Sequence, residues 1–337
     1  MDWDIGKAFT FVTEDPRWVN KVLIGGGLII AGFLAFVTVI GWLFVFAIVR
    51  AIPGDVVDMM LEQFQYGRDA DELRSRLGLD RPVAAQYLAW AGRLLWGDLG
   101  ESLWTKRPAI EDIAARFPVT ATLSGLAILI SLLIALPVGV FAAVRQDSAT
   151  DYAARSFAVG ALSVPSFWLG TLIVVLPSHY FHWTPPIGSF ASFAEGPVRY
   201  LGQFLLPALC LGVAQAGIIM RMTRGMMLEV LRQDYVRTAK AKGLGGGAVV
   251  LGHALRNALV PIVTVIGGQL PFYFGGSIIM EYIFGLPGMG SFVLEAISRR
   301  DYPVIQAVNL FVAALVILSN LLVDLSYGAL DPRVREQ

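Results

Sequence analysis

Residues 234–261 read DYVRTAKAKGLGGGAVVLGHALRNALVP, a basic, glycine-punctuated stretch between two long apolar runs. The whole 337-residue chain is 56% hydrophobic and 15% charged, with a mean hydropathy of +0.64. Soluble domains usually carry about 25% charged residues, so this composition is that of an integral membrane protein. In such a protein Arg237, Lys240, Lys242 and Arg256 must sit in water, because they are costly at bilayer depth. Residues 233–242 are helix-competent, with Tyr235, Thr238, Ala239 and Lys242 able to line one face. Gly243 then stops that helix, as glycine does at C′. A second amphipathic piece, 249–259, leads to the next apolar run. A short helix held crosswise in a polar loop suits docking of a soluble partner. The alternative is an ordinary solvated basic loop that only fixes topology.

Outward from this stretch, six apolar runs are each long enough to cross a bilayer, which takes about 20 residues. They are 22–49 (with its core at 29–49), 117–144, 156–180, 200–222, 259–283 and 304–327. Residues 1–21 read as a cytoplasmic leader. Residues 56–116 form the largest polar region and have an acidic surplus. Amphipathic helices are predicted there at 56–65, 69–77 and 83–95, and Trp90, Trp96 and Trp104 suit an interfacial or packed lid. Residues 145–155 read as a short loop of mixed charge, and 183–199 and 284–303 as outer loops. The 221–256 connection carries seven Lys/Arg against two acids, which places it inside by the positive-inside rule. Both termini are then cytoplasmic, and 56–116 is external. At roughly 60 residues that region is near the lower limit for an independent core.

Several chemistries have no support in the sequence. The formal net charge is +0, and no basic arm suggests nucleic acid. The single cysteine, Cys210, lies in an apolar run and reads as a packing residue; it excludes an intrachain disulfide and a cysteine-rich metal site. No GxxxxGK[ST] phosphate loop occurs, so the chain is not expected to hydrolyse ATP itself. HExxH and GxSxG are absent too. His179 and His182 share a possible helix face, but further metal ligands are lacking and an interfacial role is the simpler reading. Gly245, Gly246 and Gly247 read as a flexible turn rather than an anion nest. Glu281 and Asp324 are carboxylates within apolar runs, but each is near an end, so an interfacial structural role is expected. The many glycines and prolines in the spans fit a moving pathway or a static bundle. The acidic first twenty residues do not resemble a cleavable signal peptide. No catalytic residue, cofactor or metal is expected.

Taken together, several segments resemble the permease subunits of ABC importers, in the dipeptide/oligopeptide/nickel family. They are PGD at 53–55, LGLDRPVAAQYLAW at 77–90, WGDLGESL at 96–103, SVPSFWLG at 163–170, DYVRTAKAKGL at 234–244, HALRNALVP at 253–261, EYIFGLPGMG at 281–290, RRDYPVIQA at 299–307 and LVDLSYGALDPRVR at 322–335. The resemblance covers residues 40–335. The importer loop pattern is EAA-x3-G-x9-I-x-L-P; here Arg237, Thr238 and Ala239 occupy the EAA place and Gly243 the glycine. His253 to Arg256 stand at I-x-L-P, with Arg256 in the proline position. The glycines at 245–247 and the first 20–30 residues depart from the family pattern.

The resemblance implies an all-α integral membrane protein of six spans with the type I importer fold. Its layout would be an N-terminal cytoplasmic extension (1–28), the first span and external region (29–116), a five-helix transmembrane domain (117–327) with its coupling loop at 223–258, and a tail (328–337). Asp234, Tyr235, Arg237, Thr238, Ala239, Lys240, Ala241, Lys242, Gly243, Leu244, His253, Arg256 and Asn257 would form the ATPase-coupling surface. The implied partners are a second homologous permease (a heterodimer), two ATP-binding subunits, an external substrate-binding protein and membrane lipid, but no nucleic acid. The implied location is the plasma (inner) membrane. Peptide is the leading substrate class, with nickel and oligosaccharide as the others. An ATP-independent channel or secondary carrier would need ion-coupling groups in the spans, and an intramembrane enzyme would need a catalytic pair; neither is evident.

Overall fold

The computed structural model describes residues 40–47, 50, 56–64, 70–185 and 190–330, and all regular structure among them is helical. The expected leader, most of the first span and the C-terminal tail lie outside the described residues. The chain divides into two compact units, Met1–Asp98 and Leu99–Gln337.

The first unit contains α1 (Val56–Phe64), α2 (Ala70–Arg76) and α3 (Val83–Leu95), close to the three helices predicted for the external region. Punctuation sets their limits. Gly78 turns at φ +67° after α2, and Pro82 precedes the first residue of α3. Trp90 is buried against Phe46 and Trp42, with ring centroids 5.6 Å and 6.4 Å away. Arg50 stacks over Phe46 at 3.8 Å and hydrogen-bonds the Gln86 side chain, which itself donates to Arg81 O at 2.7 Å. An aromatic and cation–π cluster thus does the work of a core in this small unit.

The second unit begins with α4 (Ala109–Val144), α5 (Ala149–Ser163) and α6 (Ser166–Phe181). At 36 residues α4 is about 54 Å long at 1.5 Å per residue, well beyond the hydrocarbon thickness. The predicted span started at 117; the helix starts eight residues earlier, after Pro108, with Glu111 and Asp112 favouring the positive end of its dipole. The third predicted span, 156–180, is not one helix. It begins within the stretch read as a loop and is broken between α5 and α6 by an 85° bend. Pro165 causes this: it forces Val164 into an extended conformation (φ −96°, ψ 116°) and offers no N–H to continue the helix.

A 3₁₀ turn (Phe193–Glu195) lies in the connection read as loop, α7 (Pro197–Gly202) straddles its end and the predicted start of the fourth span at 200, and they lead to α8 (Leu205–Leu231) and α9 (Asp234–Ala241). In the turn, Glu195 accepts the Ser192 N–H and hydroxyl, which holds its carboxyl below the usual range. The fourth span thus runs nine residues past its predicted end at 222, so Arg221 and Arg224 belong to the span helix and not to a solvated loop. After Gly245, a helical turn (Gly246–Ala248) and a π-helical stretch (Val249–Leu255) run without interruption into α10 (Arg256–Phe284). The predicted amphipathic piece 249–259 is therefore continuous with the helix that carries the fifth span, whose apolar part begins at Pro261. Gly252 alone does not break it, since one interior glycine costs only about 1 kcal/mol.

α11 (Met289–Ser298) and α12 (Tyr302–Leu330) complete the unit. α11 replaces part of the predicted outer loop 284–303. Glu281 holds it in place: this fully buried carboxylate accepts the Gly290 N–H at 2.7 Å, the Ser291 N–H at 3.1 Å and the Thr120 hydroxyl at 2.6 Å. It sits at a buried helix N-terminus, and not at the interface where the sequence had suggested a structural role. A Cβ at Gly288 would lie 2.3 Å from the Glu281 carboxyl carbon, so the backbone must come this close. The side chain of Asp324 lies outside the described residues.

Four helices are long and apolar enough to cross a membrane, and the bent α5–α6 pair makes up to five among the described residues. Small residues let them touch backbone to backbone. A Cβ at Gly139 would meet Met220 O at 2.9 Å, and one at Gly212 would meet Ala127 O at 2.9 Å, so α4 and α8 are in direct contact. Gly217 makes the same approach to Ala158 O of α5. Cys210 is fully buried in the core beside Leu211 and Tyr273, as a packing residue should be.

Candidate functional site

The site is built on α9 and the turn after it. Arg232 and Gln233 alone separate α9 from α8, so the short helix hangs directly on the end of a span. Val236 and Ala239 are its buried residues, packed on Val249 and Leu231. The sequence reading had put Tyr235, Thr238, Ala239 and Lys242 on one face. Of these only Ala239 is buried; Val236, one helical turn before it, completes the inner face. Asp234, Tyr235, Arg237, Thr238, Lys240, Ala241 and Lys242 are exposed.

The end of α9 is a Schellman turn. Gly243 N–H donates to Lys240 O at 3.0 Å and Leu244 N–H to Ala239 O at 3.3 Å, with Gly243 at φ +80°. No atom lies within 4 Å of a Cβ built on Gly243, so the backbone conformation, not space, requires glycine. Gly245 caps the following helix in an extended conformation (φ −61°, ψ 146°), which makes the glycine run a defined turn.

The structure brings Tyr235, His253 and Asn257 together. Asn257 Nδ2 donates to Tyr235 Oη at 2.7 Å and to His253 O at 3.0 Å. This joins α9 to the first turn of α10. Arg237 pairs with Asp234 at 3.5 Å along α9, and Arg256 is exposed on α10. Lys240 edges a groove of roughly 690 Å³ lined by Val140, Phe141, Val144, Leu251 and Leu255. The arrangement can present a rigid, basic surface held at both ends by membrane helices. Among the described residues no group of His, Cys, Asp or Glu could hold a metal ion, His179 and His182 included.

Behind this surface lies an ion pair that the sequence reading missed. Asp151 on α5 is fully buried and takes both arms of Arg224 on α8, Nε to Oδ1 at 2.6 Å and Nη2 to Oδ2 at 2.7 Å. Arg155 Nη2 (3.2 Å) and the Asp147 N–H (2.9 Å) complete its shell. The available signal was an acid three residues after Ser148, which caps α5.

Residues 135–336 match the family model described as binding-protein-dependent transport system inner membrane component. The chain is 41% identical over 319 residues to the di/tripeptide transport system permease protein DppB of Pseudomonas aeruginosa, covering 88% of this chain and 94% of that one. It is 38% identical over 334 residues to the dipeptide transport system permease protein DppB of Escherichia coli K12, covering 92% and 97%. A putative peptide transport system permease protein of Brucella abortus is 40% identical over 290 residues, 86% of this chain and 92% of that one. A solved amino acid ABC transporter crystallised with histidines aligns with a TM-score of 0.50 at 14% identity, over 65% of this chain and 94% of that chain; it supports the fold alone.

Proposed function

Because the chain belongs to the family of binding-protein-dependent transport system inner membrane components, we propose that it forms half of the membrane path of an ATP-driven importer for short peptides. It is a multi-pass inner-membrane permease subunit and not itself an enzyme; in ABC transporters of this family the ATPase is a separate subunit. Under this proposal six spans put both termini in the cytoplasm, and a second homologous permease supplies the other half of the path. An external binding protein delivers the peptide.

The coupling surface is the exposed side of α9 with its glycine turn, and it seats against an ATP-binding subunit. One observation carries this reading: α9 presents its polar residues outward while its first turn is tied to both neighbouring spans, to α8 through Arg232–Gln233 and to α10 through the Tyr235–Asn257 bond, and its inner face packs on Val249. A displacement of α9 by its partner therefore has to move α8 and α10. Allosteric coupling of this kind needs a two-state element acted on by both sites; α9 and the helices it joins are that element.

The test is uptake of a radiolabelled dipeptide into liposomes that contain the chain with its co-purified partners. Uptake that needs both the external binding protein and hydrolysable ATP supports the proposal. Flux through the chain alone without ATP would replace it with a channel or carrier.

A further inference from the structure

The two ends of α8 face different tasks. One continues into α9; the other half of the helix packs against α5 at the Gly217–Ala158 contact. Arg224 lies seven residues after Gly217, or about 10 Å further along the axis. There it grips the fully buried Asp151 with a bidentate bond. A third link lies beyond, where Arg232 donates to Gln146 Oε1 at 3.4 Å. Helix α5 is therefore held to α8 at two levels, Ala158 and Asp151, and the loop before it at a third. Its other end is the 85° break at Val164–Pro165. Past that break, α6 is shared between α8 and α10: a Cβ built on Gly170 would lie 3.1 Å from Met280 Sδ of α10.

We propose that Asp151 and Arg224 are positioning residues for transport: their bond makes α5 move with α8, so that displacement of α9 is concentrated at the Val164–Pro165 break between α5 and α6. This rests on the reading of α9 as the coupling helix. A plain packing role would be served as well by apolar residues, because a buried ion pair is weak evidence for stability. What the pair adds is a fixed bidentate geometry, which a guanidinium and a carboxylate supply and looser contacts do not. All four donors around Asp151 come from α8 and from its own α5 region, so the bond fastens these two elements and no others.

The experiment uses the whole importer, with its ATP-binding and external binding-protein subunits, in liposomes. ATP hydrolysis and dipeptide uptake are measured on the same vesicles. Asp151→Asn and Arg224→Gln are each expected to leave the purified complex intact and hydrolysing ATP, while peptide taken up per ATP falls about tenfold. The reversed pair, Asp151→Arg with Arg224→Asp, should recover most of that ratio. An unchanged ratio in both single variants would overturn the proposal. So would a parallel loss of complex, hydrolysis and uptake that the reversed pair fails to repair, since that is a purely structural role. If the unmodified importer shows no ATP-dependent uptake, the coupling reading fails at its root, and this inference falls with it for a reason the control makes plain.

Discussion

Asn257 Nδ2 donates a 2.7 Å hydrogen bond to Tyr235 Oη, across the turn that separates α9 from the span it leads into. Both side chains are exposed, so the bond adds little to the stability of the fold. Its consequence is geometric: it fixes the angle between α9 and α10.

Tyr235→Phe removes this bond and nothing else. A single exposed hydrogen bond contributes about 1 kcal/mol or less. Thermal unfolding in detergent should therefore change little. Uptake should fall several-fold, and a spin label at Lys242→Cys should become more mobile. Equal loss of stability and uptake would instead mean that Tyr235 is simply part of the fold.

Gly243 separates conformation from space. At φ +80° an alanine costs about 1–2 kcal/mol, while asparagine tolerates this region better. With open space around the position, Gly243→Asn should retain more uptake than Gly243→Ala. Gly243→Trp should insert normally in the membrane but lose the ATP-binding subunits on purification. The readout is the ratio of subunits after gentle extraction.

Glu281 satisfies two backbone N–H groups and the Thr120 hydroxyl. Glu281→Ala strands these buried donors at about 1–3 kcal/mol each. The variant should unfold at a clearly lower temperature and lose protease resistance around α11. Glu281→Gln keeps an acceptor and should fall in between. Gly288→Ala should mimic the loss, because its new Cβ would overlap the carboxylate.

Asp301 precedes α12 and is buried, accepting the Ser102 hydroxyl at 2.5 Å and the Leu103 N–H at 3.0 Å. Burial pushes its carboxyl above the usual range, and these donors pull it part of the way back. A folded-state pKa raised above the unfolded one gives stability that is present at low pH and lost as pH rises through the folded value. Ser102→Ala removes one of the restraining donors, so that loss should shift to higher pH. Asp301→Asn has no charge to titrate and should remove the dependence. Melting temperature against pH for the three proteins checks the order.

Much of the organisation was legible in local residue chemistry. Pro82 and Gly78 delimit α2 and α3, and Gly243 ends α9, each by a backbone rule that acts over a few residues. The apolar runs at 117–144, 200–222, 259–283 and 304–327 marked the four long apolar helices, because burial in lipid demands length and hydropathy alone. What stayed hidden depends on distant partners. Asp151 and Arg224 are 73 positions apart, and nothing local marks them as a pair. GLPGMG reads as a loop, yet Glu281 turns the residues after it into the start of α11. The inner face of α9 was misread because Val249, its packing partner, lies beyond the glycine turn. Pro165 stands in plain sight within the third apolar run, but the 85° bend beside it follows only from the folded chain.

The account stands most directly on contact between α9 and an ATP-binding subunit. Cys210 is fully buried, so a cysteine placed at exposed Thr238 can be addressed alone. With Thr238→Cys in the assembled complex, a short thiol-reactive crosslinker should join this chain to the subunit that carries the phosphate loop, with a yield that changes when ATP is added. A complex that transports peptide with ATP but gives no such crosslink at Thr238, or at any other exposed position of α9, would contradict the account.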